Sequence, residues 1–257
     1  MVLWFGKKLC DRGFLINLKH REDRLDRSIR ELAKSGLEGI ERFDACIIEE
    51  ENFTKYGCTK SHLEIAKLQI ENRWNYVIYL EDDIIFDPFY DYMTDNFKIN
   101  IEKVSEEIIE NLYEKKPDLL WLGVRPENYT KKVTDCFLEP DSTLMSHAYI
   151  GSLRYAHFLV ENLEYSNMNS VSGGWPIDFF ISQITKKNDW RIEIFDIDYK
   201  FRSNDLVIYL TTPMIFNQGN SHSEILDRQV DYTEWVRGCY SEYANTSKLN
   251  VKKYLYE

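Results

Sequence analysis

Tyr76-Val77-Ile78-Tyr79-Leu80 runs straight into Glu81-Asp82-Asp83. Five apolar or aromatic residues in a row read as a strand covered on both faces, and such strands belong to parallel or mixed sheets flanked by helices. Three adjacent carboxylates at the end of that strand repel one another unless a cation offsets them. Hard divalent ions such as Mg2+ or Mn2+ take oxygen ligands and bridge protein carboxylates to a diphosphate. Side-chain alternation along an extended chain puts Glu81 and Asp83 on one side and Asp82 on the other. That is the geometry of a D-x-D type metal motif with Glu in first place. The competing reading is plain solvation, since strand ends in open α/β sheets are often acidic.

The segments around this strand alternate between the two periods. Gly13 to Leu18 reads as a buried strand. A charged helix follows from about Asp23 to Ser35, with Leu25, Ile29 and Leu32 at helical spacing and Gly36 as its stop. Arg42 to Ala45 is a short strand, Ser61 to Asn72 a helix, and Lys98 to Glu114 a helix striped by Ile101, Val104, Ile108 and Leu112. Leu119 to Gly123 is another buried strand. Val133 to Leu138, His147 to Ile150 and Val207 to Leu210 read as strands, with a helix from about Leu153 to Leu163 between them. The pattern predicts an α/β fold whose open, mostly parallel sheet binds ligands at the carboxyl ends of its strands.

The chain of 257 residues suits one large domain, and its 44% apolar and 29% charged residues are ordinary for a globular protein. A net charge of -11 argues against a nucleic-acid groove or an anionic membrane as the main partner. The five cysteines are scattered, which is neither a disulfide framework nor a zinc site. No apolar run reaches membrane-spanning length, and Met1 to Phe5 is too short for a signal segment, so a cytoplasmic location is the default expectation. Seventeen Tyr and six Trp suit a large core, and also suit sugar surfaces, where an aromatic face covers a pyranose.

Several segments, in order, resemble glycosyltransferase family 25, which includes bacterial lipo-oligosaccharide galactosyltransferases and collagen hydroxylysine galactosyltransferases. Ile16-Asn17-Leu18-Lys19-His20-Arg21-Glu22-Asp23-Arg24 is similar to the family's opening I-N-L-x-x-R-x-D-R, and Arg42-Phe43-Asp44-Ala45 to its next strand. Gly57-Cys58-Thr59-Lys60-Ser61-His62 resembles G-C-x-x-S-H, with Lys60 where the family often has an apolar residue. Leu80 to Asp83 resembles L-E-D-D, Ala148 to Ser152 A-Y-x-x-S, Pro176-Ile177-Asp178 P-x-D, and Pro213 to Gln218 P-x-x-x-x-Q.

The resemblance implies a single GT-A type domain with a Rossmann-like nucleotide-binding half at about 13–123, an acceptor half at 124–225 and a tail at 226–257. It implies an inverting, metal-dependent transfer of galactose or glucose from a UDP-hexose to a hydroxyl on a glycan or a collagen-like protein. In that frame Glu81 and Asp83 hold Mn2+ or Mg2+, with Asp82 an orienter or a water-mediated ligand, and His222 is the candidate third ligand or else a surface histidine. Asn17, Arg21 and Arg24 stand where the nucleotide is expected. Ser61 and His62 line the donor site from a helix start, where backbone N–H groups favour anions; Ser61 alternatively only caps that helix. Asp23 is read as a helix cap. Asp178 is the candidate general base, or else the N-cap of a helix starting near Phe179. Two rivals stay open: a carbohydrate-binding relative without turnover, and a Mg2+-dependent phosphohydrolase using the same acids.

Overall fold

A computed structural model describes residues 1–48, 54–89, 100–169, 177–185, 206–219, 221–223 and 228–230. Its first elements are β1 (Val2–Trp4) and β2 (Lys7–Cys10), an antiparallel ribbon absent from the sequence expectation. The turn runs through Phe5 and Gly6, whose φ angles are 46° and 77°. Two successive positive φ values give a tight hairpin whose twist matches the strands. Val2, Trp4 and Leu9 are fully buried, and Trp4 Nε1 donates to the Ser35 carbonyl at 2.8 Å.

The alternating part follows as β3 (Arg12–Asn17), α1 (Glu22–Ser35), β4 (Leu37–Glu38), β5 (Glu41–Asp44), α2 (Thr54–Asn72), β6 (Tyr76–Glu81), β7 (Ile84–Phe89) and α3 (Ile101–Lys115). Then come β8 (Leu119–Lys132), β9 (Phe137–Ser152), α4 (Leu153–Asn169), α5 (Ile177–Thr185), β10 (Ile208–Thr211), β11 (Met214–Gln218), β12 (Ser221–Ser223) and β13 (Arg228–Val230). Six strands form the central sheet in the order β10-β8-β9-β6-β3-β5. β5, β3 and β6 are parallel, as are β8 and β10, while β9 runs against both β6 and β8. The sheet is therefore a mixed α/β sheet.

β6 lies inside this sheet, and Val77 to Leu80 are completely buried because helices cover both faces. Val77 and Tyr79 pack with Leu63 and Ala66 of α2, Leu159 of α4 and Phe180 of α5. Ile78 and Leu80 pack on the opposite side with Leu32 of α1, with Ile108 and Leu112 of α3, and with Trp4. This parity aims Glu81 toward α2 and Asp82 toward α1.

Three expectations are corrected. Ile29 stands 52% exposed, and α1 instead buries Ser28, Glu31 and Leu32, so its inward face is partly polar. Residues 133–136 form a turn, with the Val133 and Thr134 amides both bonded to the Phe137 carbonyl, and the strand starts at Phe137. α2 begins at Thr54 and not near Ser61. Its early turns pass beneath the chain after β5, where a Cβ on Gly57 would stand 2.6 Å from the Cys46 carbonyl oxygen. Glycine permits that approach. Among the described residues no helix is long and apolar enough to cross a membrane.

Candidate active site

Glu81 is the last residue of β6, so its side chain emerges at the carboxyl edge of the sheet on the α2 side. Its Oε1 accepts a hydrogen bond from Ser146 Oγ of β9 at 2.6 Å. His62 Nε2 stands 3.6 Å from the same oxygen, beyond hydrogen-bonding reach. The His62 ring is wholly buried, parallel to those of Tyr79 and Tyr149, and its Nδ1 is 2.8 Å from the Tyr149 hydroxyl. Cys58 lies one helical turn before His62 on the same face of α2. One ligand atom from each of Cys58, His62 and Glu81 falls within 4.8 Å of the others.

The strand stops at Glu81, and Asp82 and Asp83 form the turn into β7. Their side chains part as alternation requires. Asp82 Oδ2 accepts from Asn17 Nδ2 at 2.7 Å, Oδ1 accepts from Arg24 Nη1 at 2.9 Å, and its carbonyl accepts from Ser28 Oγ at 2.8 Å. Asp82 is thus fastened to β3 and α1. Asp83 Oδ2 accepts from Gln218 Nε2 at 2.7 Å, and the Asp83 carbonyl accepts the Gly219 amide at 2.7 Å. Those two bonds join the acidic turn to the end of β11, which pairs with β7 through Ile84 and Gln218.

The electrostatics follow from crowding. Burial is the largest influence on the Asp83 carboxyl, and with the nearby Glu81 charge it pushes the pKa up to about 7, against the Gln218 hydrogen bond. Burial also acts to raise Glu81, but the His62 and Ser146 contacts outweigh it and hold that group below the usual carboxylate range. The Cys58 thiol is pushed well above its ordinary value by burial first, then by Glu81, Asp178, Asp83 and Asp82. All four acids lie near enough to the thiol to act on it. Asp178, half-buried in the first turn of α5, is part of that group.

The residues fit a divalent cation. Asp83 Oδ1 is buried with no hydrogen-bond partner, an orphaned carboxylate oxygen close enough to Glu81 to feel its charge. Oxygen donors of this kind are what Mg2+ or Mn2+ requires. His222 lies on β12, three residues beyond Gly219, and is paired in register with Gln229. Its side chain falls outside the described residues, as do Trp175, which the sequence offers as a sugar-stacking platform or a core residue, and Ser172-Gly173-Gly174, which it offers as a closing loop before Asp178.

The other sequence candidates are placed as follows. Asn17 and Arg24 meet Asp82. The Arg21 guanidinium instead grips Asp23, with Nε and Nη2 each 2.9 Å from a carboxylate oxygen. Asp23 is therefore not the helix cap: Arg21 holds the cap position without a side-chain bond, and Asp23 sits in the first turn. Ser61 lies deep in α2, where its Oγ donates to the Gly57 carbonyl at 2.8 Å and accepts the Cys46 amide at 2.9 Å. The backbone around Ser61 and His62 is committed to the helix, so the expected helix-start anion site is absent there.

Cys58, Tyr149 and Gln218 join the site from the motif segments quoted above, and Ser146 and His147 join it from outside them. His147 is fully buried with Nε2 3.3 Å from the Phe216 carbonyl, and burial brings its pKa down to about 4. The close approach needs Gly123, where a Cβ would stand 2.5 Å from His147 Nε2. Ser146 and His147 carry no local signal in the sequence, since both are brought in by β9.

No protein-family model and no curated protein matches the chain. Among solved structures the chain is similar to A197 from STIV, at 12% identity over 77% of this chain and 81% of that one, with a TM-score of 0.33. It is also similar to apo UDP-glucose pyrophosphorylase, at 9% identity over 88% of this chain and 70% of that one, with a TM-score of 0.35. Likenesses this slight assign no family.

Proposed function

We propose that the protein is a cation-dependent inverting glycosyltransferase of the GT-A type, related to family 25, that moves a hexose from a UDP-sugar to a hydroxyl acceptor. The observation that carries this reading is the convergence of widely separated motif segments on one sheet edge. Asn17 and Arg24 reach Asp82, Tyr149 reaches His62, His62 faces Glu81, and Gln218 reaches Asp83. Asp178 lies near enough to act on the Cys58 thiol alongside Glu81, Asp82 and Asp83.

Glu81 and Asp83 are the groups to hold Mn2+ or Mg2+, which when bound supplies positive charge against a departing diphosphate. Asp82 serves a different end. It fixes Asn17 and Arg24 beside the acids, so that the first β-α turn presents a pre-set face to the nucleotide. Asp178 is the group to accept the proton of the acceptor hydroxyl in a single displacement. A glycan or a collagen-like protein is the acceptor class, and the resemblance alone carries that choice.

The test is Mn2+-stimulated UDP release from UDP-galactose and UDP-glucose. Wild type is expected to release UDP, while Glu81→Ala and Asp83→Ala lose the Mn2+ stimulation. Full activity in either variant overturns the cation assignment. Hydrolysis of simple phosphate esters without preference for nucleotide sugars would assign the same acids to a phosphohydrolase instead.

A further inference from the structure

Cys58 has no part in the reaction above, yet its thiol stands with His62 and Glu81 in a set unlike the oxygen ligands at Asp83. We propose that Cys58 Sγ, His62 Nε2 and a Glu81 carboxylate oxygen form a second cation site, selective for a borderline-soft ion of the zinc class. The ligand atoms lie within 4.8 Å of one another. An independent observation points to a ligand: His62 is 0% exposed, and its Nε2 has no hydrogen-bond partner while facing Glu81 across 3.6 Å. Two tetrahedral zinc ligands at their usual bond lengths stand roughly 3.4 Å apart, so the imidazole and carboxylate are spaced to share an ion. Moving Sγ into the same shell takes a closure of at most about 1 Å, within reach of a small side-chain adjustment.

The surroundings of His62 support that role. The Tyr149 hydroxyl at Nδ1 fixes the ring plane and can accept an Nδ1 proton, so that in the cation-bound state the Nε2 lone pair is directed at the site. Ser146 steadies Glu81 by donating to the Oε1 that faces His62. The set is one sulfur, one nitrogen and one oxygen, which zinc accepts and which Mg2+ does not seek. Binding releases the thiol proton to solvent and leaves a thiolate–metal bond. Three protein ligands leave a fourth position for water or another donor.

Because Glu81 belongs to both sets, zinc in this site withdraws a carboxylate from the Mn2+ or Mg2+ position. The binding itself is independent of the transfer reading and is measured without nucleotide sugar. Co2+ added to the full-length protein is expected to give one equivalent of a thiolate-to-cobalt charge-transfer band, displaced by Zn2+. Cys58→Ser should remove the band, and His62→Ala should weaken Zn2+ binding, measured against a chromophoric chelator, by at least about a hundredfold. Absence of the band in wild type overturns the proposal even if a variant fails to fold. So does a band that persists in Cys58→Ser, or equal Zn2+ affinity in wild type and a folded His62→Ala protein. Loss of Mn2+-stimulated UDP release with the cobalt band intact would sink only the glycosyltransferase reading.

Discussion

Asn17 Nδ2 donates to Asp82 Oδ2 at 2.7 Å, across 65 positions of sequence, and the same nitrogen reaches the Arg21 carbonyl at 3.0 Å. The Asn17 amide thus clamps the end of β3 to the acidic turn and to the start of α1. Arg24 completes the clamp through Asp82 Oδ1, with both charged groups about nine-tenths buried. Removing one partner of such a pair strands the other charge in a dry place. Asp82→Ala should therefore lose about 3–5 kcal/mol of stability in urea unfolding. Replacing both residues by apolar ones, as in Asp82→Leu with Arg24→Met, should recover most of it. A single variant within about 1 kcal/mol of wild type would show that water already reaches the pair.

Asp83 gives the ion-free protein a pH dependence opposite to ordinary acid unfolding. Its carboxyl titrates at 3.8 when unfolded and near 7 in the fold, so the native state holds a proton that the unfolded chain has released. The stability it contributes is fully present below about pH 4 and is lost as the pH rises through 7. Melting temperatures in EDTA, compared between wild type and Asp83→Asn from pH 5 to 8, should draw apart as the pH increases, with the variant less affected. Mn2+ should reduce this loss, since the ion favours the ionised carboxyl. Parallel melting curves in EDTA would show that Asp83 is already charged at pH 5.

The strand that ends in Glu81 was legible because a run of buried residues meeting acids is a local signal, and alternation then sorted Glu81 from Asp82. α3 was legible for the same reason, its stripe of Val104, Ile108 and Leu112 being fully buried. What could not be read was anything decided across the sheet. His147 enters the site only because β9 runs antiparallel beside β6, and Gln218 only because β11 pairs with β7. The start of α2 is hard to read because Thr54, Tyr56 and Gly57 carry weak helix propensity. The β1–β2 ribbon carries little local signal because its Phe5-Gly6 turn lacks the usual Asn or Asp.

Gly57 sets two principles against each other. Helix propensity predicts that Gly57→Ala gains about 1 kcal/mol inside α2. The added Cβ would stand 2.6 Å from the Cys46 carbonyl oxygen, a backbone atom that cannot swing away like a side-chain tip. Overpacking of that kind costs about 1–3 kcal/mol, so the clash should win and the variant should melt lower than wild type. The Ser61 bond to the Cys46 amide would be strained with it. A variant that melts higher would show that the loop after β5 moves freely over the helix.

Asp178→Asn separates proton removal from donor binding. The amide keeps the size of the carboxyl and its place in the first turn of α5, but it cannot take a proton from an acceptor hydroxyl. General-base catalysis is worth about 10²–10⁴-fold, so kcat for transfer should fall by that factor with little change in KM for the UDP-sugar. The charge change has a second signature. Asp178 is among the acids that raise the Cys58 thiol, so neutralising it should lower that thiol's pKa, read from the pH dependence of Cys58 alkylation. A lowered thiol pKa with undiminished transfer would leave Asp178 near the site but assign the base to another residue. Loss of transfer together with loss of UDP-sugar binding would make Asp178 a group that positions the donor.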